Sequence, residues 1–224
     1  MAVSQTITER AENKQDLEDQ NERLEELARI VSHDLRNPLQ VANGRLELIR
    51  DDCESDHITD VAQALDRMDA LIDDMLTLTR EGEHVDETEQ VDVANVAKTS
   101  WQTVDTKQAT LEIDTAQAVR AEESRLRQLF ENLYRNAVEH GGDDVTVSVG
   151  AMDGGFYVAD TGTGIPESDR EEVFTTGYST SDEGTGFGLR IVEQIVDAHG
   201  WTITVTESEQ GGARFELTGI DTVE

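Results

Sequence analysis

The chain has 224 residues, 49 of them acidic against 18 Lys plus Arg, for a formal net charge of −31. That length allows one or two domains, and that charge excludes nucleic acid as a default partner, because phosphate binding needs a basic face. No apolar run approaches the roughly 18 residues of a membrane span, no signal-peptide pattern opens the sequence, and the single Cys53 excludes an internal disulfide framework or a multi-cysteine metal site. Only three lysines are present (Lys14, Lys98, Lys107), so 18 − 3 leaves 15 arginines. A surface rich in Asp and Glu and nearly free of lysine suits a cytoplasm at molar salt, where the Debye length falls to about 3 Å. A cytoplasmic protein of a halophile is therefore expected.

Residues 1–23 read as a polar connector helix. From Leu24 two heptad series share one helix face, Leu24, Val31 and Pro38 with Ala28, Leu35, Ala42 and Ile49, ending near Arg50. DDCESDH (51–57) breaks the pattern. A second helix, ending near Arg80, carries Ile58, Leu65 and Ile72 beside Val61, Met68 and Met75. Two amphipathic helices joined by a short loop make an antiparallel hairpin over 24–80. One hairpin cannot bury both seams, so a homodimer forming a four-helix bundle is expected.

EGEHVDETEQ (81–90) reads as a charged linker without periodicity. Beyond it, strand patterns fall at 109–115, 144–150, 155–160, 201–207 and 213–218, and helical patterns at about 94–104, 123–140 and 187–199. Strands mixed with helices predict an α/β sandwich over 91–224.

Nine of the 17 glycines lie within 150–188. Asp160-Thr-Gly-Thr-Gly-Ile-Pro166 follows a predicted strand, and Gly184-Thr-Gly-Phe-Gly188 opens a predicted helix. Backbone amides at a helix start attract phosphate, and glycine lets it approach. Neither segment is a Walker loop or a G-x-G-x-x-G fingerprint. Asn132 and Asn136 stand at i, i+4 on one helix face. Asparagine is a poor mid-helix residue, and its carboxamide oxygen is a hard ligand suited to Mg²⁺ held against phosphates. His33 sits between the seam residues Val31 and Leu35 and is expected to project outward. Asp34 adjoins it, Asn37 follows at i+4, and Pro38 can kink the helix. A carboxylate beside an imidazole can take its proton and leave a ring nitrogen nucleophilic. Cys53 and His57 share the predicted loop, but two ligands do not make a zinc site. His84, His140 and His199 have no catalytic partners in the pattern, although His140 follows Asn136 closely enough to line a shared pocket.

These segments, in this order, resemble the catalytic core of a two-component sensor histidine kinase over residues 24–220. The H box resembles Ser32–Leu39, the N box Asn132–Ala137, the G1 box Asp160–Gly164, the F box Phe174 and the G2 box Gly184–Leu189. The resemblance implies a dimerisation and histidine-phosphotransfer domain joined to a Bergerat-type ATP-binding sandwich. By that resemblance His33 is the phospho-acceptor, Asp34 its activating acid, and Asn37 the position that orients water for phosphatase action. Asn136 is the Mg²⁺ ligand with Asn132 assisting, Asp160 reads adenine, and Gly162, Gly164, Gly184, Gly186 and Gly188 shape the nucleotide pocket. Phe174 anchors its lid. ATP and Mg²⁺ are the implied cofactors, and a response-regulator receiver domain is the implied partner.

Two departures stand out. Many members carry a base in the lid, but TTGYSTSDE, between Phe174 and Gly184, has none. A lysine often follows the N box, where this chain has Glu139. Phosphate charge is left to Mg²⁺, glycine amides or Arg135. The base-free lid keeps a catalytically weak scaffold or a regulator phosphatase as the alternative. A Bergerat ATPase of the conformational-clamp type is disfavoured, because those usually place glutamate where this chain has Asn132.

Overall fold

The computed structural model describes residues 31–32, 35–46, 48–49, 56–78, 85, 88–106, 108–142, 144–175 and 186–223. The chain divides into two compact units between Glu81 and Gly82.

Among the described residues, the first unit contains two helices, α1 (helical at 31–32, 35–46 and 48–49) and α2 (Asp56–Leu78). The apolar spacing that predicts them also decides what they bury. Leu39 and Ile72 are buried, while Val31, Leu35, Val61, Met68 and Met75 are each 44–51% exposed. On α2 the Ile58, Leu65 and Ile72 series is thus buried or half-buried and the Val61, Met68 and Met75 series is exposed. On α1, by contrast, Val31 and Leu35, one from each expected series, are both exposed, and the buried Leu39 belongs to neither. His57, expected in the loop, lies in the first turn of α2, because the acid-rich segment ends in Asp56 and helix periodicity resumes there. The helix starts two residues before its first seam residue, Ile58.

The second unit is built on a five-stranded mixed sheet. Its strands are β2 (Thr110–Asp114), β4 (Thr146–Met152), β5 (Gly155–Asp160), β6 (Thr202–Glu207) and β7 (Ala213–Thr218), in spatial order β2-β4-β5-β7-β6. Only the β2–β4 pair is parallel. Alternation sets one face inward: Phe156 and Val158 on β5, Phe215 and Leu217 on β7, and Val147 and Val149 on β4 are all buried. Against these lie α3 (Val93–Trp101), α4 (Glu123–Gly141) and α5 (Gly188–Ala198). A chain of rings joins the layers: Trp101 on Tyr134 (5.0 Å), Tyr134 on Phe130, Phe130 on Phe156 (5.6 Å), and Phe156 on Trp201. The buried Tyr134 hydroxyl donates to the Ala97 carbonyl (3.1 Å), tying α4 to α3 and satisfying a polar atom in the core.

All five predicted strands and three predicted helices of this unit form, two strands with the predicted ends and the rest with no end shifted by more than three residues. A second, three-stranded sheet was not predicted. It orders β1 (Glu89–Asp92), β3 (Ala118–Ala121) and β8 (Thr222–Val223) as β1-β3-β8. β1 takes Glu89 and Gln90 from the segment expected as linker. These strands have two to four residues, too few to show an alternating pattern.

Candidate nucleotide site

Three glycine-rich turns converge on the C-terminal end of β5. Asp160 ends that strand and is 8% exposed. Its Oδ1 accepts from the backbone N–H of Gly162 (2.8 Å) and of Ala213 (3.1 Å). Its carbonyl accepts from the Ser208 hydroxyl (2.7 Å), which in turn accepts from Gly212 N–H (2.9 Å). Oδ2 has no hydrogen-bond partner among the described residues and remains available to a donor. Burial pushes the Asp160 carboxyl above its ordinary pKa, while the Gly162 and Ala213 amides and the charge of His140 pull it down. An aimed carboxylate with one free oxygen is suited to accept from an exocyclic amine.

Glycine is required here by close approach. A Cβ at Gly212 would overlap the Asp160 carbonyl, and one at Gly162 would overlap Gly141 Cα at the end of α4. Gly164 has φ +70° beside Gly211, a conformation that L side chains rarely adopt.

The other end of the site lies on α4 and α5. The Asn132 side chain is buried, its Nδ2 donating to the Gln128 carbonyl one turn back (2.9 Å). That bond aims Oδ1 outward from the helix, where it lies 3.2 Å from the place a Cβ on Gly188 would occupy. Gly188 opens α5, Gly186 precedes it at φ +71°, and no side chain caps this helix start. Uncapped first-turn amides leave donors for an anion. The half-buried Asn136 carboxamide makes no hydrogen bond among the described residues, so its oxygen fits a Mg²⁺ ligand.

The structure thus gathers Asp160, Gly162 and Gly164 at the C-terminal end of α4 and Asn132 and Gly188 at its middle. Phe174 is half-buried in the turn after Pro166, with no ring contact to these residues among the described ones. Asn37 is exposed on α1, in the first unit. His33, Asp34 and Gly184 lie outside the described residues. Sequence reasoning missed Gly141, Ser208, Gly212 and Ala213. Their signal was the paired glycines 141–142 and 211–212, each ending one element before a strand.

Two family models match in the order the boxes imply. Residues 9–84 match the His Kinase A (phospho-acceptor) domain, and residues 121–221 match the histidine kinase-, DNA gyrase B-, and HSP90-like ATPase. The chain belongs to the sensor histidine kinases. Sensor histidine kinase ZraS of Escherichia coli O157:H7 is 32% identical over 227 residues, covering 92% of this chain and 49% of that protein. The methanogenesis regulatory histidine kinase FilI of Methanothrix harundinacea is 31% identical, covering 88% of this chain and 24% of its own length. Full-length ShkA, solved in complex with AMPPNP, matches at TM-score 0.65 and 26% identity over 88% of this chain and 46% of that one. This sensor histidine kinase chain therefore spans about half the length of ZraS and about a quarter of FilI. Among the described residues, no helix is long and apolar enough to cross a membrane.

Proposed function

We propose that this chain is an ATP-dependent protein-histidine kinase that phosphorylates itself on His33 and passes the phosphoryl group to an aspartate of a response-regulator receiver domain. The observation that carries the reading is the order of the two matched domains, phospho-acceptor before ATPase, with Asp160 held by two backbone amides at the end of β5.

Adenine is read by Asp160 Oδ2, which accepts from its amine. The glycines at 186 and 188 let backbone amides approach the phosphates, while the Gly162 amide holds Asp160 at the adenine end. Asn136, assisted by Asn132, would hold Mg²⁺, which when bound neutralises phosphate oxygens. The unprotonated ring nitrogen of His33 attacks the γ-phosphorus, an N–P bond forms, the bond to the β-bridging oxygen breaks, and ADP leaves. The proton on the other ring nitrogen passes to Asp34. Catalysis in such transfers is positioning and charge stabilisation.

The outward apolar residues of α1 and α2 support a homodimer through the hairpin. Asn37, exposed on α1, would orient water when the kinase removes phosphate from its regulator. We place the chain in the cytoplasm, where ATP is available and a single cysteine stays reduced. The test is incubation with labelled ATP and Mg²⁺ at high KCl. Label that is alkali-stable, acid-labile and absent from His33→Gln supports the kinase. Failure to label while the protein still dephosphorylates a receiver domain supports the phosphatase reading, which the base-free segment after Phe174 favours.

A further inference from the structure

We propose that Arg135 is the cation that anchors the terminal phosphate of the nucleotide. The inference rests on the nucleotide site proposed above and deepens it. α4 acts as a ruler across that site. At one end Gly141 lies against Gly162, beside Asp160; nine residues earlier Asn132 meets Gly188. At 1.5 Å per residue these ends are ~13 Å apart. With adenine on Asp160, the phosphates run along α4 toward Asn132 and the first turn of α5.

Arg135 stands on that path, and its half-buried side chain leans toward the helix N-terminus, as helical side chains do. Its Nη1 donates to Asn132 Oδ1 at 3.4 Å, long for a hydrogen bond, so the guanidinium keeps most of its donor capacity. Asn132 Oδ1 is also the atom that a Cβ on Gly188 would meet, at 3.2 Å. The guanidinium is thereby held beside the uncapped start of α5.

Charge separates Arg135 from its neighbours. On α4 and α5, Arg125 pairs with Glu122, Arg127 with Glu123 and Arg190 with Glu193. Among the described residues no carboxylate pairs with Arg135, in a chain where acids outnumber bases 49 to 18. The sequence between Phe174 and Gly184 contains no Lys, Arg or His, and Glu139 stands one turn beyond Arg135 with the opposite sign. A planar guanidinium offers two parallel donors to a phosphate.

The test measures binding of Mg·ATP, Mg·ADP and adenosine to the full chain at one fixed ionic strength. Arg135→Gln should weaken Mg·ATP about ten- to a hundred-fold, the range of a lost charge-assisted hydrogen bond. It should weaken Mg·ADP less and leave adenosine unchanged, and Arg135→Lys should recover most of the loss. Equal losses for all three ligands, unrestored by lysine, would overturn the proposal, because Arg135 would then act only by bracing Asn132. Unchanged Mg·ATP affinity would also overturn it. Asp160→Asn is the control for the underlying site and should weaken all three ligands alike. If that control has no effect, the nucleotide site itself is misplaced and the Arg135 proposal falls with it.

Discussion

Asp160 illustrates a residue held against its own stability. Burial disfavours its charged form more than the Gly162 and Ala213 amides and the charge of His140 favour it. A carboxyl whose folded pKa is raised contributes stability below its unfolded pKa and loses it as pH rises through the folded one. At neutral pH the ligand-free fold therefore carries a desolvated charge. Asp160→Asn keeps an oxygen acceptor for both amides and removes the charge. The ligand-free variant should melt higher than the parent at pH 7, with the gap closing as pH falls into the carboxylate range, while nucleotide binding is lost. His199 presents the opposite sign. Its Nε2 accepts the Glu122 N–H (3.1 Å) at the start of α4, and its Nδ1 lies 2.8 Å from the Ile195 carbonyl, an arrangement that needs the neutral ring. Burial lowers its pKa first of all; Arg125 also lowers it, and the Ile195 bond and Glu122 raise it. The unfolded chain thus takes the proton first, so stability present above about pH 6.5 is lost as pH falls toward the lower folded value. His199→Leu should cost about 1–3 kcal/mol at pH 7.5, by orphaning the Glu122 amide. It should also flatten the fall in melting temperature between pH 7 and 5.5. A variant that keeps the parent's slope would show that another group titrates there.

At the scale of elements, long periodic segments were legible in the sequence and short ones were not. β4 to β7 each have six or seven residues, β5 a central strand buried on both faces and β7 strictly alternating, and α4 and α5 carry apolar faces, so pattern alone located them. β1, β3 and β8 form only by pairing with each other, a tertiary effect that no local window contains. The site divides in the same way. Asn132, Asn136 and Asp160 sit in motifs with fixed spacing, whereas Ser208 and Gly212 meet Asp160 from about fifty residues away. Register brings them there: β5 pairs with β7, and Ala159 faces Arg214. Gly212→Ala should therefore displace the Asp160 carbonyl and reduce both stability and nucleotide affinity, the stability loss measured by denaturant titration. Gly44, in α1, is the counterexample, with nothing within 4 Å of an added Cβ. Gly44→Ala should stabilise the hairpin by about 0.5–1 kcal/mol through helix propensity. Destabilisation instead would mean that a partner helix packs closely against that position.

At the scale of the whole molecule, charge decides when the fold and the proposed dimer exist. With 49 acids and 18 Lys plus Arg, most carboxylates have no cation to pair with. The ion pairs Arg125–Glu122, Arg127–Glu123, Arg190–Glu193 and Arg214–Glu216 each join residues two to four apart in sequence, so they bring no distant segments together. The exposed Arg127–Glu123 pair contributes little in any case. Repulsion among the remaining acids is then opposed mainly by burial, and its reach is set by salt: the Debye length is about 3 Å at 1 M and about 30 Å at 0.01 M. The dimer should feel this more than the monomer, since joining two chains of −31 brings −62 together. On dialysis from molar KCl to about 10 mM, the dimer should dissociate first, with helical circular dichroism and melting temperature falling at lower salt. Light scattering and thermal melts across one KCl series measure both. A melting temperature constant over that range would show that packing alone carries the fold and that the acidic surface is no adaptation to salt.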